Sequence, residues 1–186
     1  MSRLGLFATS IAALVAATAT IQITAADAGS AVNWERDQQV ATRAWKFAAK
    51  AWPNQYAGIW TLPRGRFRGN FVFAFTRNGA RHVKVLRKRF PTRDARYLAV
   101  RRAFSQRFLD GLAGQLITDR ERIRRGHLSP PGQRPGEFDL DLDVRRNRVV
   151  LTRPHFARGY RAWFRDRYGA ALVFETGPTF IPLAAG

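Results

Sequence analysis

The chain has 186 residues, enough for one compact core or two small subdomains. It contains no cysteine, which excludes disulfides, thiolate metal sites and a cysteine nucleophile. The formal net charge is +19 and arginine carries most of it. Guanidinium groups stay charged at any biological pH and match phosphates and carboxylates with paired donors. A nucleic acid, an anionic lipid, an acidic envelope polymer or an acidic protein would relieve the self-repulsion of such a chain.

In chain order, Arg3 opens a short positive segment, and Leu4 to Ile23 follows without a charge. Ala26-Asp27-Ala28 offers small residues at the minus-three and minus-one positions of a peptidase site. The segment therefore reads as a signal peptide over 1–28, which places the protein outside the cytoplasm, secreted or in the cell envelope. The alternatives are a buried helix of the folded domain and a retained membrane anchor, but polar Thr, Ser and Gln interrupt the run and no basic stop-transfer cluster follows it. After cleavage no stable membrane span is expected.

Residues 33–52 predict a helix, with Val40, Ala44, Trp45, Phe47, Ala48, Ala51 and Trp52 forming one apolar stripe that Pro53 ends. Two strands follow, at 59–62 and 71–76, joined by Arg64-Gly65-Arg66-Phe67-Arg68-Gly69. After the turn at 77–79, residues 80–90 predict a basic helix with Val83, Leu86 and Phe90 inward, and 97–100 a third strand. Ser105 is placed to cap a long helix whose buried face is Phe108, Leu109, Leu112, Leu116 and Ile123. Glycines and prolines between 124 and 136 mark a linker. Strands are then expected at 138–144 and 149–152, a helix at 156–168 and a last strand at 171–175.

Strand, strand, helix, strand thus occurs twice. Thr76-Arg77 corresponds to Thr152-Arg153, Ala80-Arg81 to Ala157-Arg158, and residues 85–90 to residues 163–168. A ββαβ unit buries one sheet face under its helix. The expected fold is α+β, with two ββαβ lobes joined by a helix and a Pro/Gly linker. The corresponding division is 29–125 for the N-terminal helix, first lobe and connecting helix, 126–136 for the linker, and 137–186 for the second lobe and an apolar tail.

No catalytic constellation emerges. His82, His127 and His155 have no metal-ligand spacing, and neither HExxH nor GxSxG occurs. The expectation is no enzyme, no cofactor and no metal. Asp139, Asp141 and Asp143 alternate, so they share one strand face. They suit a cation site, a glycosidase-like acidic face, a patch for a basic partner or, most simply, the wet side of a half-buried strand. Arg64, Arg66 and Arg68, with Arg87, Lys88 and Arg89, are the candidate polyanion contacts, the first three in an Arg/Gly/aromatic pattern that stacks on bases in single-strand binders. The plainer reading of that stretch is a solvated cationic loop.

Tyr56-Ala57-Gly58-Ile59-Trp60, then Phe71 to Thr76, then Leu142 to Leu151 with Asp143-x-x-x-Asn147, carry a family likeness. Over about residues 38–175 the chain resembles the pro-regions of secreted bacterial serine proteases of the alpha-lytic protease and streptogrisin type, or a stand-alone exported relative. The resemblance implies a non-enzymatic module that acts as a trans-acting inhibitor or foldase of a secreted serine protease. It also implies that the hairpin at 138–152 adds to the protease sheet and that the tail enters the active-site cleft. The residues so implicated are Asp139, Asp141, Asp143, Asn147, Val149, Pro178, Phe180 and Ile181. The competing expectation is a cationic binder of envelope polymer, anionic lipid or extracellular nucleic acid.

Overall fold

A computed structural model describes residues 25–63, 69–131 and 138–177. Helix α1 (Ala25–Ala51) starts upstream of the expected Ala28 cleavage point. Strands β1 (Tyr56–Pro63) and β2 (Gly69–Phe75) are antiparallel, in a register that sets Ile59 opposite Phe73. Helix α2 (Gly79–Arg89) crosses to β3 (Arg96–Arg101), which pairs parallel to β2 with Phe71 opposite Tyr97. Helix α3 (Gln106–Arg124) opens the second half. Strands β4 (Asp139–Asp143) and β5 (Arg148–Arg153) pair antiparallel. Helix α4 (Tyr160–Tyr168) then leads through a 3-10 turn at Gly169–Ala171 to β6 (Leu172–Thr176), parallel to β5. The sheets run β1-β2-β3 and β4-β5-β6, so the fold is α+β with two lobes of the same topology.

Alternation decides which sheet face is covered. Phe71, Phe73 and Phe75 all point to one side of β2 and pack with Ala41, Ala44 and Ala48 of α1 and Val83 and Leu86 of α2. The alanines let α1 lie close to the aromatic sheet, and each fully buried Phe contributes about 1.5–3 kcal/mol. In the second lobe Leu109, Leu112, Leu116 and Ile123 of α3 meet Val149, Leu151, Phe164 and Leu172. By packing, α3 therefore belongs to the second lobe. The repeated unit is one helix longer than the sequence pattern indicated: helix, hairpin, helix, parallel strand.

Two details reinforce the equivalence. Both α2 and α4 are entered through a left-handed residue, Asn78 at φ 57° and Gly159 at φ 84°. Each lobe's first helix also sends one buried carboxylate to the joint between second helix and last strand. Asp37 accepts the N–H groups of Arg93, Asp94 and Ala95 at 2.7, 2.9 and 2.8 Å. Asp119 accepts from Tyr168 Oη at 2.7 Å and from Arg122 at 3.0 Å, with Arg167 at 3.3 Å.

Three expected core positions lie elsewhere. Trp45 and Ala51 face solvent, because the alanine stripe of α1 is narrower than the full apolar set. Phe108 is half exposed: the buried stripe starts one residue later, at Leu109, and a one-residue step turns a helix by about 100°. Phe108 instead stacks on Phe104 at 5.2 Å. Ser105 does cap α3, its Oγ accepting from Phe108 N at 3.2 Å.

The lobes meet where β1 and the 101–105 connection face the β4–β5 turn. Asn147, fully buried and left-handed at φ 58°, accepts from Phe104 N and donates to Phe104 O, both at 2.8 Å. Beside it Gly58, at φ 125°, lies so close to Val144 that an added Cβ would sit 2.3 Å from Cγ1.

Candidate functional site

The acidic strand, the hairpin turn and the strand ends nearest the other lobe form one surface. Register puts Asp141 opposite Val150 and Val150 opposite Val173, so the outer face of the second sheet carries acids at its edge and valines within. Asp143 accepts the backbone N–H of Arg146 at 2.8 Å and pairs with its Nε at 3.0 Å, while the other arm of Arg146 holds Glu175. The bond and charge of Glu175, then the charge of Asp143, raise the pKa of Arg146. Asp141 takes the N–H of Leu142 at 2.7 Å. Asp139, Asp141 and Asp143 thus share a strand face as expected, and two of them are engaged within their own hairpin.

The remaining candidates divide. Val149 is fully buried in the second core, and the Asn147 amide is spent on Phe104. These side chains shape the hairpin from within. Arg87 donates to Tyr97 O at 2.6 Å, Arg89 lies 4.4 Å above the Phe47 ring, and Lys88 is exposed. Arg64, Arg66, Arg68, Pro178, Phe180 and Ile181 lie outside the described residues.

Sequence reasoning missed a groove across the lobe junction, of about 590 Å³, lined by Thr76, Arg101, Arg102, Ala103, Arg146 and Arg148. Strand ends from both lobes supply the arginines. Arg102 lies 5.1 Å above the Trp60 ring and Arg148 lies 5.0 Å above Phe104, so both guanidinium groups rest on aromatic faces. Arg148 also donates to Asn147 O at 2.8 Å. The available signal was two arginine-rich stretches, Arg101-Arg102 after the third expected strand and Arg145-Arg146-Asn147-Arg148 between the first two strands of the second lobe. Neither stretch stands out in so arginine-rich a chain.

His82 is buried, stacks on Trp52 at 4.1 Å and meets Gln55 Oε1 at 2.9 Å. Burial first, and the charge of Arg81 second, lower its pKa. Among the described residues no three His, Cys, Asp or Glu side chains are grouped to hold a metal ion. Among them, too, no helix is long and apolar enough to cross a membrane.

No protein-family model matches the chain, and no curated protein is significantly similar to it.

Proposed function

We propose that this is an exported, non-enzymatic protein-binding module whose partner is a secreted serine protease, which it inhibits or helps to fold in trans. The observation that carries the reading is the outer edge of β4. Among the described residues β4 pairs only with β5, and the N–H of Leu142 is held by the neighbouring Asp141 carboxylate. An incoming strand could exchange that local bond for a ladder bond. Strand addition takes its affinity from main-chain hydrogen bonds, so it needs no special side chains at the edge.

The hairpin is well suited to the task. Val149 and Leu151 anchor β5 in the core, and Asn147 fixes the turn to the other lobe. The edge is thereby presented on a rigid support, which lowers the ordering cost of association. The family likeness in residues 142–151 supports the same surface, with residues 175–186 as the tail that would enter the protease cleft.

The test is capture from the secreted and envelope fraction of the producing cell, with the protein as bait, at low salt and at about 0.5 M salt. A shape-specific interface survives the higher salt, whereas binding through several phosphates falls steeply. A serine protease retained at both concentrations, and inhibited by the pure protein, is the expected result. Polyanions alone, lost at high salt, would overturn the proposal.

A further inference from the structure

We infer that the groove across the lobe junction is a phosphate site, built to take a phosphodiester segment of a polyanionic chain and to bridge the two lobes through it. Arg101 and Arg102 come from the end of the first sheet, and Arg146 and Arg148 from the hairpin of the second. Asp143 and Glu175 engage Arg146. Arg101, Arg102 and Arg148 make no ion pair among the described residues, so the groove holds like charges close together with no neutralising partner among those residues. An anion binding there would relieve repulsion that the fold otherwise bears.

The aromatic contacts narrow the chemistry. Trp60 and Phe104 each carry a guanidinium group over the ring, and Phe104 has Phe108 stacked against it at 5.2 Å. Single-strand binders offer aromatic faces to bases. Here cations already use these faces, and the stacking orients Arg102 and Arg148. The chain ligand would therefore be read by its phosphates and not by its bases. Thr76 adds a hydroxyl to the same wall. The inference does not rest on the protease reading, since it uses the arginine side chains at the junction and not the main-chain edge of β4, and a different ligand class.

The first probe is inorganic tripolyphosphate, added to the whole protein at constant ionic strength while thermal unfolding is followed. A ligand that binds only the folded state raises the midpoint in a saturable way. The expected result is a saturable rise that exceeds the effect of sodium chloride at equal ionic strength. Ala103→Glu, at an exposed position inside the groove, should abolish it while circular dichroism stays unchanged. Arg102→Gln with Arg148→Gln should weaken binding at least tenfold. Lys46→Gln with Lys50→Gln, which removes the same charge from exposed positions of α1, should leave it within twofold. No saturable rise, or equal loss in both double variants, would overturn the site.

A second comparison separates the polymers that could bring the phosphate. A polyglycerol phosphate and a single-stranded oligonucleotide of equal phosphate number should bind within tenfold of each other and show the same salt slope. An oligonucleotide bound far more tightly would overturn the reading by phosphates alone.

Discussion

Asn147 and Phe104 are joined by two hydrogen bonds of 2.8 Å, the amide of the one matching both main-chain groups of the other. The pair fastens the hairpin turn of the second lobe to the chain leaving the first. Asn147→Gly keeps the left-handed backbone and removes only the amide. The two Phe104 groups are then left without partners at a closed junction. The expected loss is about 2–3 kcal/mol by urea unfolding, and an unchanged midpoint would show that water replaces the amide at no cost.

Gly58 predicts a second fault line at the same junction. An alanine there would place Cβ 2.3 Å from Val144 Cγ1 and also adopt φ 125°. Overpacking and backbone strain together should cost about 3 kcal/mol. Adding Val144→Ala removes the overlapping methyl, so the double variant should recover part of the loss and retain the backbone share. A strictly additive double-mutant cycle would refute the contact.

Asp119 links stability to acid pH. Burial raises its pKa, but the bonds from Tyr168, Arg122 and Arg167 outweigh burial and the net shift is downward. A carboxyl with a lowered folded pKa contributes stability that is present above its unfolded value of about 3.9 and is lost as pH falls through the folded value. Asp119→Asn should therefore be less stable than the native protein at pH 6, with the difference fading below about pH 4. Asp119→Ala should cost about 2 kcal/mol at pH 6, because the buried Tyr168 hydroxyl loses the acceptor for its proton while both arginines still reach water.

His82 acts in a higher window. Its folded pKa is lowered, so the unfolded chain takes up the proton first as pH falls below about 6.5. Stability should decline from pH 7 to pH 5, and His82→Phe should remove that component while keeping a ring between Trp52 and Phe75. An identical pH profile in the variant would place the dependence on another group.

The edge of β4 yields the most direct test of partner binding. Leu142→Pro removes an N–H that the β5 ladder does not use, on an edge strand where proline is tolerated. Protease affinity should fall at least tenfold with the fold retained. Deleting residues 178–186 should weaken the same complex independently. Loss of neither would leave strand addition without support.

The order of elements was legible because apolar spacing reports helix and strand directly, and each strand of both sheets was expected within a few residues of its place. Allegiance was not. The stripe on α3 shows that the helix is buried, but an apolar face carries no address, and only the fold reveals that Leu109 and Leu116 meet the second sheet. Asn147 falls between the two strands expected at 138–144 and 149–152, and its amide bonds to Phe104 depend on a distant segment. Asp37 is one of three acids on α1, and nothing local predicts three backbone donors converging on it. The junction groove was hidden by composition, since arginine is too frequent here for four of them to attract notice.

Among the described residues every strand pairing closes within its own lobe, the first inside residues 56–101 and the second inside residues 139–176. A chain delivered from its N-terminus therefore offers one complete foldon before the next has begun to appear. Its aromatic core can close while the remainder is still extended. The amide of Asn147 arrives only with the second hairpin, so its bonds to Phe104 are a late step of vectorial assembly and mark the moment when two independently closed units become one.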